Sequence, residues 1–146
     1  MKITYKGDYA LKAVLDLALN YGQDLVTIHD IAKHIDAPIK FLEQVLLVLK
    51  KGGFVQSRRG KVGGYLLSRP PGQITAGEVI RFIDGPIEPI SCIDKKYSNC
   101  LDLNHCVFKG MWYKVSKAIS DIIDNVTFED LVSQAGSSKQ ALAYSI

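Results

Sequence analysis

The stretch from Pro38 to Leu67 restricts the possible folds more than any other part of the chain. Pro38 suits the start of a helix, because its missing N–H would have no intrahelical partner there. Leu42, Val45, Leu46 and Leu49 then recur at i, i+3, i+4 and i+7 and make one apolar face. Lys40, Gln44, Leu47 and Lys51 fall on another face, which can meet water or a polar partner. Gly52-Gly53 ends the helix. Two extended runs follow, Phe54–Ser57 and Gly64–Ser68, separated by the basic, glycine-rich Arg58-Arg59-Gly60-Lys61-Val62-Gly63. A helix of groove-reading size followed by a hairpin with a cationic tip is the outline of a winged helix-turn-helix.

The segment before it supplies the other half of that motif. Thr27-Ile28-His29-Asp30 resembles a capping box and predicts a short helix to about His34, with His29 and His34 as surface histidines. Asp36-Ala37 is the turn into Pro38. Residues 6–22 read as a long helix with two apolar stripes, one of Ala10, Ala13, Val14, Leu17, Ala18 and Tyr21, the other of Leu11, Leu15 and Leu19. A helix apolar on two faces belongs in a core. Asp8 lies in its first turn, where a negative charge suits the helix dipole.

Thr75-Ala76-Gly77-Glu78 is a full capping box, and its helix runs through Ile83 to the stop at Asp84-Gly85-Pro86. Periodicity is lost over residues 85–105. It returns from Val107 in Phe108, Met111, Trp112, Val115, Ala118, Ile119, Ile122 and Val126. So long a stripe cannot be buried within so small a domain, and the pattern predicts a homodimer. Thr127-Phe128-Glu129-Asp130 caps a last short helix to about Ala135, with a loosely held tail from Gly136. The expected fold is mainly α with a small β-hairpin wing: a winged helix-turn-helix over 1–84, a cysteine-bearing sensor loop over 85–106, and a dimerisation helix and tail over 107–146.

Charge divides along the same line. Residues 1–73 hold 11 Lys/Arg and 6 Asp/Glu, a net +5, whereas residues 74–146 hold 7 and 9, a net −2. A basic first half and an acidic second half suggest that only the first meets polyanions; it is the winged helix-turn-helix outline that makes double-stranded DNA the expected partner. No apolar run approaches the roughly 20 residues of a membrane span, and Met1-Lys2-Ile3-Thr4 opens no signal peptide. The expectation is a cytoplasmic protein without a membrane partner. No nucleophile–base pair or phosphate-cradling loop is visible, and Gly60-x-x-Gly63-Gly64 is accounted for by the wing's turn, so an enzyme is not expected.

Cys92, Cys100 and Cys106 follow a C-x7-C-x5-C pattern confined to the aperiodic loop and its exit. An odd number of cysteines in an intracellular chain argues against structural disulfides. Burial as small hydrophobes fits poorly with the flanking Asn99, Asn104 and His105. Metal ligation explains the pattern better, since thiolates suit zinc or an iron–sulfur cluster. Either would need a fourth ligand that the loop does not offer, because His105 is poorly placed beside Cys106.

Taken together these residues resemble the IscR/NsrR/BadM family of winged-helix regulators, the Rrf-two superfamily, over about residues 1–130. The resemblance rests on Met1–Thr4, Asp8-Tyr9-Ala10-Leu11, Ile31-Ala32, Pro38, Leu42-Glu43-Gln44, Arg59-Gly60 and Gly63-Gly64-Tyr65. Ile74-Thr75, Glu78-Val79-Ile80, Asp84-Gly85 and the three cysteines before a long helix continue it. It implies a homodimeric transcriptional regulator, read here as a repressor, whose cysteines hold a two-iron (2Fe-2S) or four-iron (4Fe-4S) cluster, sensing iron–sulfur status, nitric oxide or redox state. The iron–sulfur-biogenesis branch has a histidine three residues after its last cysteine, where this chain has Lys109, and a shorter first cysteine gap. The nitric-oxide-sensing branch has an aspartate in the first helix that can reach the partner subunit's cluster, and Asp8 occupies the matching position; His34 is the reserve ligand.

Within that reading Lys40, Glu43 and Gln44 approach base edges, with Gln44 able to pair bidentately with adenine. Arg58, Arg59 and Lys61 hold the backbone and supply affinity rather than sequence choice. The alternatives are a cluster-free winged-helix regulator that uses zinc or a thiol switch, and one that senses a metabolite.

Overall fold

The computed structural model describes residues 2–93 and 105–144, with side chains as far as residue 136. Among the described residues six α-helices and one two-stranded sheet follow in the order α1 (Tyr5–Leu19), α2 (Ile28–Ile35), α3 (Ile39–Lys51), β1 (Val55–Arg58), β2 (Gly64–Leu67), α4 (Ala76–Asp84), α5 (Lys109–Ile123) and α6 (Phe128–Tyr144). Short 3-10 turns at Pro71–Gln73 and Ser91–Ile93 complete the order.

Helix α1 is the hub, packing against α2, α3, α4, α6 and β2. Its first stripe behaves as the sequence predicts: Ala10, Ala13 and Val14 are fully buried and Leu17 and Ala18 nearly so. Tyr21 falls beyond the helix end and is exposed. The second stripe does not close. Leu11 and Leu15 are only half-buried, and with Lys12, Ala76, Ile123, Val126, Phe128 and Leu131 they line a largely apolar groove.

Asp16 is the one buried charged side chain among the described residues, and His34 Nδ1 lies 2.9 Å from its carboxylate. His34 is exposed, as the sequence suggests, and is also half of an α1–α2 tie. The other end of α1 is fixed to α4. Thr4 caps α1 by accepting from the Gly7 N–H (3.0 Å), while its own N–H and hydroxyl donate to the Asp84 carboxylate. A Cβ on Gly7 would run into that carboxylate, so a larger residue there would have to push Asp84 out of its place against Thr4.

Helix α3 seats Leu42, Val45, Leu46 and Leu49 in the core with no exposed surface. Pro38 is its N-cap residue, not its first helical one. The Gly52-Gly53 stop is a Schellman motif: Gly53 N–H donates to Lys50 O (3.1 Å) and Phe54 N–H to Leu49 O (3.0 Å). Gly53 sits at φ +77°, a backbone region that glycine enters without penalty. The buried Phe54 then turns the chain into β1.

The capping boxes at Thr75 and Thr127 both form. At the second, the Thr127 N–H and hydroxyl hold the Asp130 carboxyl below its ordinary value. Helix α6 runs to Tyr144 instead of ending near Ala135. Gly136-Ser137-Ser138 reads as a stop, but the good helix formers from Lys139 to Ala143 carry the pattern through it. Phe128, at the start of α6, is fully buried in the same core as α1 and α3, and the Phe128 N–H donates to Ile74 O (3.0 Å).

The burial of α3 sets a sharp contrast between adjacent leucines. Leu46→Ala is expected to cost about 2–5 kcal/mol of unfolding free energy by denaturant titration, the range for a truncated core leucine. Leu47→Ala, on the solvent face, should stay within about 0.5 kcal/mol of the parent.

Candidate nucleic-acid interface and cysteine segment

Lys40, Glu43 and Gln44 are exposed on the face of α3 opposite its buried leucines. Strands β1 and β2 pair antiparallel with Val55 opposite Leu67, Ser57 opposite Tyr65 and Arg58 opposite Gly64. Arg59 to Gly63 form the wing tip, with Arg59 and Lys61 exposed and Gly60 at φ +133°. Arg58, expected at the tip, instead ends β1, and it too is exposed. Among the described residues none of Lys40, Arg58, Arg59 or Lys61 is paired with a carboxylate. Their charges are therefore available to a polyanion.

The helix and the wing flank one groove of about 360 Å³, lined by Glu43, Leu47 and Lys50 on one side and Ser57, Arg58 and Arg59 on the other. Lys40 and Gln44 lie on the same helix outside that groove, and Lys61 lies on the wing tip. The structure thus brings Glu43, Arg58 and Arg59 round one concavity and leaves the other three on its margins.

Two supports of the wing were not evident in the sequence. Lys50 Nζ donates to Ser57 Oγ at 2.7 Å and so ties the last turn of α3 to β1. Its place in the last turn of α3 reads first as a favourable charge for the helix dipole, which hides the strut. Val26 adds a bridge to the hairpin, exchanging backbone hydrogen bonds with Tyr65 at 2.8 and 3.1 Å. A Cβ on Gly64 would lie 2.7 Å from Val26 O, so glycine is what lets the bridge close. The β-branched Val26 between Asp24 and the Thr27 cap was the available signal.

The cysteine segment is described at its two ends. Cys92 lies in the 3-10 turn Ser91–Ile93, which packs against α5, and Cys106 lies just before α5. Both are free thiols and half-buried. Cys100 falls outside the described residues. Among the described residues no three His, Cys, Asp or Glu side chains come together in a way that could hold a metal. Asp8 makes an i,i+4 ion pair with Lys12 at 2.7 Å, the side chains of both about half exposed. Hydrogen bonding to Asp8 raises the Lys12 ammonium above its ordinary value.

Helix α5 has no buried residue. Val107, Phe108, Met111, Val115 and Ile122 stand exposed along and just before it. Its C-terminal end is tied to α4, where Arg81 grips the Asp124 carboxylate and donates to Ser120 Oγ (3.2 Å). Among the described residues no helix is long and apolar enough to cross a membrane.

Comparison with known proteins bears on both regions. The Rrf2 family profile, described as "Iron-dependent Transcriptional regulator", matches residues 3–134. The HTH-type transcriptional regulator CymR of Bacillus subtilis is 32% identical over 146 residues, the whole of both chains. The HTH-type transcriptional regulator IscR of Cronobacter sakazakii is 36% identical over 132 residues, covering 90% of this chain and 80% of that one. The solved structure of B. subtilis CymR, described as the global cysteine regulator, superposes with a TM-score of 0.79 over 92% of this chain and 98% of that one, at 32% identity.

Proposed function

The chain belongs to the Rrf2 family of DNA-binding transcriptional regulators, and on that premise we propose that it is a homodimeric repressor whose operator binding is set by an iron–sulfur cluster on its cysteine segment. One observation carries the reading. The two described thiols, Cys92 and Cys106, are free and half-buried, Cys92 in a turn that packs on α5 and Cys106 just before that helix, whose apolar residues are left without burial among the described residues. A ligand held there sits beside the surface through which a second copy would pack. The family description as iron-dependent supports iron in particular.

The donor set fits a cluster in kind. Cys92, Cys100 and Cys106 would supply three thiolates, and an oxygen or nitrogen ligand would complete four. Asp8 is our candidate for the fourth, contributed from the partner copy, with its ion pair to Lys12 opening to free the carboxylate. A cluster supplies a redox-active, gas-reactive centre. The protein's part is to hold it by groups that belong to two chains, so that occupancy and the relative placement of the DNA-reading halves are linked.

The dimer would bury the α5 stripe against the groove of Leu11, Leu15, Ile123, Val126 and Leu131. On DNA, Lys40, Glu43 and Gln44 would read base edges and Arg58, Arg59 and Lys61 would hold phosphates. A second reading is a direct thiol switch, favoured by the free state of Cys92 and Cys106 and by the likeness to a protein described as a cysteine regulator. The absorbance of protein purified without oxygen separates the two readings.

Three outcomes follow from this proposal. Arg58→Ala with Arg59→Ala should weaken specific and random DNA alike, and the slope of log K against log salt should shrink by about 0.9 for each lost phosphate contact; an unchanged slope in the folded variant removes that role. Replacing each of Cys92, Cys100 and Cys106 in turn by Ala should bleach visible absorbance and lower iron content, with operator binding weakened or its sequence preference altered. Colourless wild type without metal would transfer the segment to the second reading, and stoichiometric zinc would put a zinc site in place of the cluster. Asp8→Ala should leave folding and dimerisation intact and change the cluster's spectrum and its rate of loss. A spectrum and reactivity toward nitric oxide and oxygen identical to wild type would leave Asp8 only its pairing with Lys12.

A further inference from the structure

We infer that Leu47 is a base-reading residue, and that the group it reads is the C5-methyl of a thymine. The inference rests on α3 being the helix that enters the major groove. It assigns a contact to an apolar side chain on that helix's polar face.

Leu47 is set apart by its surroundings. Its neighbours Leu46 and Leu49 have no exposed surface, whereas Leu47 is 53% exposed. At 100° per residue it falls near the middle of the solvent-facing stripe, with Lys40, Glu43, Gln44 and Lys51 around it. It also lines the groove between α3 and the wing, beside Glu43, Lys50, Arg58 and Arg59. A scattered surface leucine is ordinary. This one stands among charged and amide groups on the surface that DNA would cover.

The chemistry of the partner narrows its role. Base edges in the major groove offer hydrogen-bond donors and acceptors, with a single apolar group, the thymine methyl. A leucine pressed against any other edge would strip water from a polar group and give back no hydrogen bond. Against a thymine methyl it would exclude water from two apolar surfaces at once. Leu47 follows Glu43 by four residues, about 6 Å along the helix, which is nearly two base-pair steps. The thymine is therefore expected within about two base pairs of the base that Glu43 meets.

The test begins with the full chain, purified without oxygen, selecting a binding sequence from a pool of random duplexes. Each thymine of the selected duplex is then replaced in turn by uracil, which removes the methyl and nothing else. Wild type should lose about fourfold in affinity at one thymine of each half-site, the worth of one buried methyl group. Leu47→Ala, which the exposure of the site allows to fold, should bind the thymine and uracil duplexes equally at that position and keep any other penalties. Leu47→Met should retain most of the discrimination. If no single uracil costs wild type as much as twofold, or if the penalty persists in Leu47→Ala, Leu47 does not read the methyl. If Glu43→Ala and Gln44→Ala select the same sequence as wild type, α3 is not the reading helix at all, and the inference falls with that premise.

Discussion

The close packing of α1 is the constraint on which the rest of this fold depends. Among the described residues α2, α3, α4, α6 and β2 all pack on that one helix, and its buried stripe is mostly small: Ala10, Ala13 and Ala18 accompany Val14 and Leu17. Small side chains let neighbouring backbones come near, and Gly7 carries this furthest where α4 closes on the helix N-terminus. Interiors are packed like crystals, so enlarging any of these residues would displace the helices around it. Through α1 the placements of α3, the wing and the C-terminal helices become mutually dependent.

That dependence has a functional side. Four α3 side chains have no exposed surface at all, and the Schellman turn passes directly into the wing. Lys50 and the Val26 bridge fix the hairpin from two further directions. Tilting α3 within a subunit would mean opening cavities under Leu42, Val45, Leu46 and Leu49, each on the scale of a core truncation. The helix-turn-helix and wing thus pack as one unit, a headpiece, and a signal of the proposed kind would act on something other than its shape.

Much of this was legible from residues whose signals are local. The Gly52-Gly53 stop, the Thr75 capping box and the α3 stripe each depend on neighbours a few positions away, and each forms where the pattern places it. What escaped was made by contacts distant in sequence. Asp16 and His34 are eighteen residues apart, and neither flanking pattern marks them as partners. Phe128 reads as the start of a separate last helix, yet it completes the core of the first half. Val26 is a single residue and too short to announce a strand. Of the site, the polar face of α3 and the basic wing were visible as residue types at helical and hairpin spacing. The groove that unites Glu43 with Arg58 and Arg59 appears only once the wing folds back on the helix.

If the headpiece is rigid, regulation is left with the relative placement of two headpieces. In the proposed dimer that placement would be set at the uncovered faces. Helix α5 exposes its apolar side, the groove of Leu11 and Leu15 lies open, and Arg81 joins α5 to α4. Helix α4 in turn meets α1 through Thr4 and Asp84. Among the described residues a chain of contacts runs from the Ser91–Ile93 turn to α5, on to α4, and so to α1. In the proposed dimer, a small rotation of α5 against its counterpart would move both reading helices as whole bodies and alter their spacing along the DNA. The free energy available for that shift is only the difference in how well the two placements hold the bound group. A ligand set shared between subunits is one arrangement that makes this difference large, because one placement completes the set and the other leaves it short.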